Sequence, residues 1–229
     1  MIRELFHHGI TLGSDKWDPY FDVYEQYMNK FVGRSPVIVE IGVQGGGSIQ
    51  LWRKYLGPTA KVIGIDIDPG VRQNEQYYDE NTTIVIGDQG SPEFWDKFFV
   101  QYPVIDILLD DGGHTMSQQK VTFEKVFPHI SKGGVFICED TATSYYPTHG
   151  GALRGSTFIE YAKHLIDVIH VGHIRDDHNH SITPEQIKLC KDISSINFVE
   201  SMIIFEKNGR KPYDRVFALN LDKLPHPTK

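Results

Sequence analysis

Val39-Glu40-Ile41-Gly42-Val43-Gln44-Gly45-Gly46-Gly47-Ser48 runs from an apolar segment through a glycine-rich turn into a polar one. Residues 37–41 are short, apolar and rich in β-branched side chains, the pattern of a strand buried in a parallel sheet. Residues 48–55 read as the helix that follows. Glycines at such a junction let backbone approach a ligand, and the helix start presents free N–H groups. The spacing is neither the G-x-G-x-x-G of a dinucleotide turn nor a P-loop, because no Gly-Lys-Ser/Thr follows. A tight strand-to-helix turn also needs glycines with no ligand at all, so the run alone leaves both readings open.

The same alternation continues outward. Residues 62–66, 83–86, 104–109 and 134–138 read as further strands, and 92–99 (with Glu93 in its first turn) and 117–127 as helices between them. This βαβ order predicts an α/β, Rossmann-like fold with a mostly parallel sheet covered on both faces. Residues 158–171 form an amphipathic helix. Residues 193–198 and 202–207 are two strands a tight turn apart, an antiparallel pair that closes a seven-stranded sheet. Residues 1–30 are polar and aromatic. The spacing of Tyr20, Tyr24 and Tyr27 places them on one helix face, read as an aromatic stripe packed on the core. Residues 141–157 show no periodicity and read as a long loop of the lid or binding type. The tail from Pro212 is peripheral.

The 229 residues, 40% hydrophobic and 23% charged, suit one globular α/β domain spanning 1–229. Within it, 1–30 is an N-terminal helical and aromatic segment, and 141–181 holds lid and substrate-side insertions. The net charge of −7 and the lack of a Lys/Arg cluster argue against nucleic acid as a partner. No apolar run is long enough to span a membrane. The first eight residues carry Arg3 and Glu4 where a signal peptide needs an apolar stretch, so a cytoplasmic location follows by default. Cys138 and Cys190, one in a strand and one in a helix, read as two reduced thiols.

In an open α/β sheet, function collects beyond the carboxyl ends of the strands. Asp66 ends the second strand about 20 residues past the glycine loop, where an acid takes ribose hydroxyls. It comes before Asp68 and is preferred for that reason. Asp88-Gln89 follows the third strand and can meet an adenine edge. Asp110-Asp111-Gly112-Gly113-His114 ends the fourth, and Glu139-Asp140 the fifth. Carboxylate oxygens suit hard cations such as Mg²⁺, and a nearby imidazole suits proton transfer. Taken singly, each of these residues has a plainer reading as a strand-end or cap residue satisfied by neighbouring backbone. Together, on successive strand ends, they point to a cofactor, metal and base site.

Glu40-x-Gly42 with its glycine loop, Asp66, Asp88 and Asp110 resemble the successive motifs of class I S-adenosylmethionine (SAM)-dependent methyltransferases, and the resemblance covers nearly the whole chain. More narrowly, Gly13-Ser14-Asp15-Lys16, Gly87-Asp88-Gln89, Asp111-Gly112-Gly113-His114 and Glu139-Asp140 with Thr143-Ser144-Tyr145 resemble the metal-dependent sugar O-methyltransferases of the mycinamicin 2''-O-methyltransferase type. The resemblance implies Asp111, Glu139 and Asp140 as ligands of Mg²⁺ (or Mn²⁺) and His114 as general base. It also implies a SAM site built from Ser14, Glu40, Gly42, Gly45, Asp66, Asp88, Gln89, Asp110 and Asp111. Members of that type carry an additional N-terminal domain, which 229 residues are too few to hold.

The expected reaction is methyl transfer from SAM to a hydroxyl of a sugar or glycoside. Two adjacent hydroxyls on a divalent cation have a lowered pKa, and a histidine can then take the proton near neutral pH. Tyr145, Tyr146 and His149, on the long loop, are the substrate-side candidates. Three rivals bound this reading. A catechol or other diol acceptor predicts an apolar slot in place of a polar pocket. A non-catalytic SAM-binding subunit predicts no metal dependence. A nucleic-acid methyltransferase is disfavoured by charge and by the missing Asn/Asp-Pro-Pro-Tyr motif. A second cluster, His164, His170, His173, His178 and His180 with Asp176 and Asp177, matches no zinc spacing, and residues 175–181 read as a polar loop bordering the substrate. A homo-oligomer stays open.

Overall fold

The computed structural model describes residues 2–174 and 182–208. The elements run α1 (Ile2–His8), α2 (Tyr20–Met28), β1 (Val37–Ile41), α3 (Gly47–Leu56), β2 (Lys61–Asp66), β3 (Thr82–Ile86), α4 (Pro92–Gln101), β4 (Ile105–Asp110), α5 (Met116–Val126), β5 (Ile130–Cys138), α6 (Phe158–Ile169), α7 (Pro184–Cys190), β6 (Ile193–Val199) and β7 (Met202–Lys207). The strands form one sheet in the order β3-β2-β1-β4-β5-β7-β6. Neighbours are parallel as far as β5, β7 runs antiparallel to β5, and β6 antiparallel to β7. This is the Rossmann-like sheet with an antiparallel closing pair that the sequence predicts.

Val and Ile dominate β1, β2 and β4 because both faces of the sheet are covered. On one face α4, α5 and α6 bury Trp95, Phe98, Phe123, Phe127 and Phe158 around Phe136 and Phe205. Phe123 and Phe205 meet at a tilt of 45° with ring centroids 4.4 Å apart. On the other, α1, α2 and α3 bury Ile2, Phe21, Tyr24, Met28 and Trp52, with Tyr24 edge-on to Trp52 at 5.0 Å. Helix starts are set by local chemistry. Ser91 accepts from Phe94 N ahead of Pro92, and Thr115 and Gln118 form a capping box at α5.

β1 borders both β2 and β4, so the winding reverses there and a crevice opens above the two strands. Register then levels the functional loops. Ile41 lies opposite both Ile65 and Asp110, and Asp110 opposite Cys138. Main-chain hydrogen bonds continue past the strand ends: Gly42 N to Ile65 O at 2.8 Å, Asp111 N to Ile41 O at 3.1 Å, Glu139 N to Asp110 O at 2.9 Å. Gly42, Asp111 and Glu139 therefore stand side by side.

Several boundaries differ from expectation. β4 runs to Asp110, which makes that residue part of the strand, with Asp111 the first beyond it. β5 begins at Ile130, before Gly134, because an irregularity between Ile105 and Ile107 lets the earlier residues pair. The long loop holds two single turns, Thr141–Tyr145 and Pro147–His149, too short to leave a periodic signal. Both cysteines are free and buried. No helix among the described residues is long and apolar enough to cross a membrane. Asp176, Asp177, His178, His180 and the tail from Pro212 lie outside the described residues.

Candidate active site

A cleft of about 940 Å³ lies over the carboxyl ends of the strands. Its β1–β3 half is lined by Gly42, Gln44, Asp66, Asp68, Asp88 and Gln89, its β4–β5 half by Asp111, His114, Glu139 and Asp140. In the first half, backbone amides aim the carboxylates. Asp66 Oδ2 accepts from Val43 N at 2.9 Å and Gln44 N at 3.1 Å, and its Oδ1 accepts from Asp68 N at 2.9 Å. Asp88 Oδ1 accepts from Gly90 N at 2.7 Å. Gly42 has φ 93°, and a Cβ there would collide with the Asp111 carbonyl, so only glycine lets the two loops meet.

The rest of the glycine run serves the chain itself. A Cβ at Gly45 would strike Gly13 O, and Gly47 N donates to Gly13 O at 3.0 Å. Gln50 Oε1 accepts from Thr11 N at 2.8 Å and Leu12 N at 3.1 Å. The segment between α1 and α2 is thus pinned across the glycine loop, and it carries Lys16 into the second half.

There the carboxylates are held by side chains distant in sequence. Lys16 Nζ donates to Asp111 Oδ2 at 2.5 Å, Glu139 Oε2 at 3.1 Å and Glu40 Oε1 at 3.4 Å. Tyr24 Oη donates to Glu139 Oε1 at 2.5 Å, and Tyr20 Oη to Asp140 Oδ1 at 2.7 Å. The aromatic stripe is therefore more than core packing: two of its hydroxyls hold site carboxylates. His114 Nε2 lies 3.8 Å from Asp111 Oδ1 and 3.7 Å from Asp140 Oδ2. Its Nδ1 is buried without a hydrogen-bond partner among the described residues. His114 (φ 54°) and Asp140 (φ 51°) both hold left-handed backbone conformations, a strain that concentrates at functional sites.

Burial sets the electrostatics of this half. Glu139 is pushed upward by burial, against the pull of Lys16. Glu40 is raised for the same reason, again opposed by Lys16. Burial works against the Lys16 ammonium, but Glu139 and the other surrounding groups outweigh it and hold its pKa well above the ordinary value. Asp110 is pushed up to about 6 by burial, with the Gln89 hydrogen bond opposing.

Ligand atoms of Asp111, His114 and Asp140 lie within 4.8 Å of one another; the two carboxylates fit a hard divalent cation, with the imidazole beside them. Glu139 stands outside that group, with one oxygen on Lys16 and the other on Tyr24. Gln89 spans the two halves. Its Nε2 donates to Asp110 Oδ1 at 2.8 Å, and its Oε1 accepts from Gly113 N at 2.8 Å. Asp110, fully inside β4, faces Gln89 and not the cleft. Glu40, Ser14 and Gly45 also lie outside the lining, as do Tyr145 and Tyr146, which are about half exposed on the loop beyond Asp140. His149 packs edge-on to Tyr146 at 6.1 Å. His170 Nδ1 lies 2.8 Å from Ile166 O, within its own helix end. Lys16, Tyr20 and Tyr24 carry no role in the sequence reading. Lys16 had one signal, its place in Gly13-Ser14-Asp15-Lys16; the tyrosine hydroxyls had none.

Comparison with known proteins bears on the fold and the family. Residues 39–141 match a family described as "Methyltransferase domain". The chain is 29% identical, over 90% of its own length and 55% of the relative's, to an 8-demethyl-8-alpha-L-rhamnosyl tetracenomycin-C 2'-O-methyltransferase of Streptomyces olivaceus. It is 30% identical, over 69% of its length and 41% of the relative's, to the mycinamicin VI 2''-O-methyltransferase of Micromonospora griseorubida. The crystal structure of the MycE methyltransferase in complex with Mg and SAH superposes with a TM-score of 0.72 at 26% identity, covering 86% of this chain and 52% of that one. The chain spans about half the length of the curated relatives it matches. Residues 39–141 are thus a methyltransferase domain, and the chain as a whole resembles the metal-dependent sugar O-methyltransferases within the class I SAM-dependent fold.

Proposed function

We propose that this chain transfers the methyl group of SAM to a hydroxyl of a sugar in a glycoside, with the help of Mg²⁺. The observation that carries the reading is the meeting of Asp111, His114 and Asp140 in the same cleft as Asp66 and Asp88. Asp66 and Asp88, aimed by backbone amides, hold the ribose and adenine of the cofactor. Asp111 and Asp140 hold the cation, joined by Glu139 through Oε2, the oxygen that Lys16 now holds, while Tyr24 keeps Oε1. A bound Mg²⁺ supplies Lewis acidity that lowers the pKa of a sugar hydroxyl. His114 Nε2, beside both aspartates, takes the hydroxyl proton as the oxygen is methylated. The cleft walls align acceptor and donor, a large part of catalysis in a displacement with no covalent enzyme intermediate.

The lining favours a sugar over a catechol. Beside the metal half the lining is Asp15, Lys16, His114, Gln118 and Asp140, polar groups that suit the hydroxyls of a sugar. Trp17, 66% exposed at the rim, offers an aromatic face to a pyranose ring. The relatives and MycE, which bind or act as their names state, support the choice of deoxysugar glycosides as first acceptors. The test is a competition between a rhamnoside and a catechol for radiolabelled methyl from SAM. Label is expected in the rhamnoside. Labelling of the catechol alone would replace the sugar reading.

A further inference from the structure

Three carboxylates converge on one ammonium at the inner wall of the cleft. Resting on the metal-dependent reading above, we infer that Lys16 is a built-in competitor for the divalent cation. It shares Asp111 and Glu139 with the metal and yields them by withdrawing to Glu40. The Lys16 side chain is 2% exposed, and each of its three donors can face a carboxylate: Asp111, Glu139 and Glu40. A cation drawing on Asp111 and Glu139 meets the ammonium at those oxygens, and like charges at such a distance repel strongly in a buried setting.

Glu40 supplies the second seat. It lies on β1, fully buried and outside the cleft lining, and its Oε2 is fixed by Ser48 Oγ at 2.7 Å. Its Oε1 therefore stays in place for Lys16 whichever way the ammonium leans. Glu139 is likewise anchored through its other oxygen by Tyr24. The backbone around residue 16 is pinned by Gly13 on α3, so the movement falls to the long flexible stem of the lysine. This assigns Glu40 to the metal half through Lys16, although it sits in the glycine-loop motif. The buried acids then keep a counter-charge at every stage, since an unpaired buried charge is costly.

The test is titration of Mn²⁺ into the intact protein, followed by calorimetry and by the paramagnetic signal of free Mn²⁺. Lys16→Met is expected to bind Mn²⁺ tighter, on the order of tenfold. Glu40→Gln, which removes the second seat, is expected to bind it weaker by a similar factor. Equal or weaker binding by Lys16→Met overturns the inference. If Lys16→Met does not fold, Glu40→Gln decides alone, and unchanged or tighter binding there overturns it. Loss of binding in Asp140→Asn places the ion at this site. Absence of Mn²⁺ binding in the unmutated protein and both variants instead overturns the metal-dependent reading, and the inference falls with it.

Discussion

The two halves of the cleft hold their carboxylates by opposite means. Over β1–β3, Asp66 and Asp88 accept backbone N–H groups, Asp66 from the glycine loop and from Asp68, Asp88 from Gly90; Asp88 is exposed and Asp66 partly so. Over β4–β5, Asp111, Glu139 and Asp140 are gripped by Lys16, Tyr24 and Tyr20 from the N-terminal segment. Glu139, at 1% exposure, has no water to fall back on. A backbone-held acid keeps its aim when its neighbours change. A side-chain-held buried acid depends on each partner, because removing one leaves a desolvated group unsatisfied. The first half therefore offers a ready-made docking edge. The second is a charge network that can be tuned or broken at single residues.

Substitutions can sharpen or break that contrast. The largest effect is expected from His114→Ala, which should lower methyl transfer by about 10²–10⁴-fold while leaving SAM binding unchanged in calorimetry. Loss of SAM affinity in that variant would mean the halves are not separable. Next is Asp66→Ala, expected to weaken SAM by about 1.5–3 kcal/mol in the same titration and to leave Mn²⁺ affinity unaltered. Tyr24→Phe removes a buried donor from Glu139 without opening a cavity. A loss of about 1–3 kcal/mol in chemical denaturation is expected. The smallest effect belongs to Tyr20→Phe, whose partner Asp140 is partly exposed. Its expected cost is about 0.5–1.5 kcal/mol, read the same way. If Tyr20→Phe proved costlier than Tyr24→Phe, burial would not be what separates the two contacts.

The same contrast explains what could be read in the sequence. β1, β2 and the antiparallel pair β6 and β7 were legible because short apolar runs end at turn residues within a few positions. The proposed cofactor acids were legible because each follows its strand directly. Asp110 and Asp111 are adjacent in sequence, yet the end of β4 falls between them, and pleating turns one toward Gln89 and the other toward Lys16. A one-residue uncertainty in a strand end therefore hides which acid faces the cleft. Lys16, Tyr20 and Tyr24 lay out of reach for another reason. Their partners Asp111, Glu139 and Asp140 are 95 to 123 residues away, and no local pattern encodes such a pairing. The glycine run shows the reverse case. Its sequence suggested room for a ligand, while Gly45 and Gly47 make room for residues 12–14.

On the proposed function, metal and cofactor are held by separate halves of one cleft. The most direct test is to strip the protein with excess EDTA and measure both SAM affinity and methyl transfer to a rhamnoside. Unchanged SAM binding with transfer lost, and recovery of transfer on adding Mg²⁺, is the expected result. Full transfer in excess EDTA would contradict it.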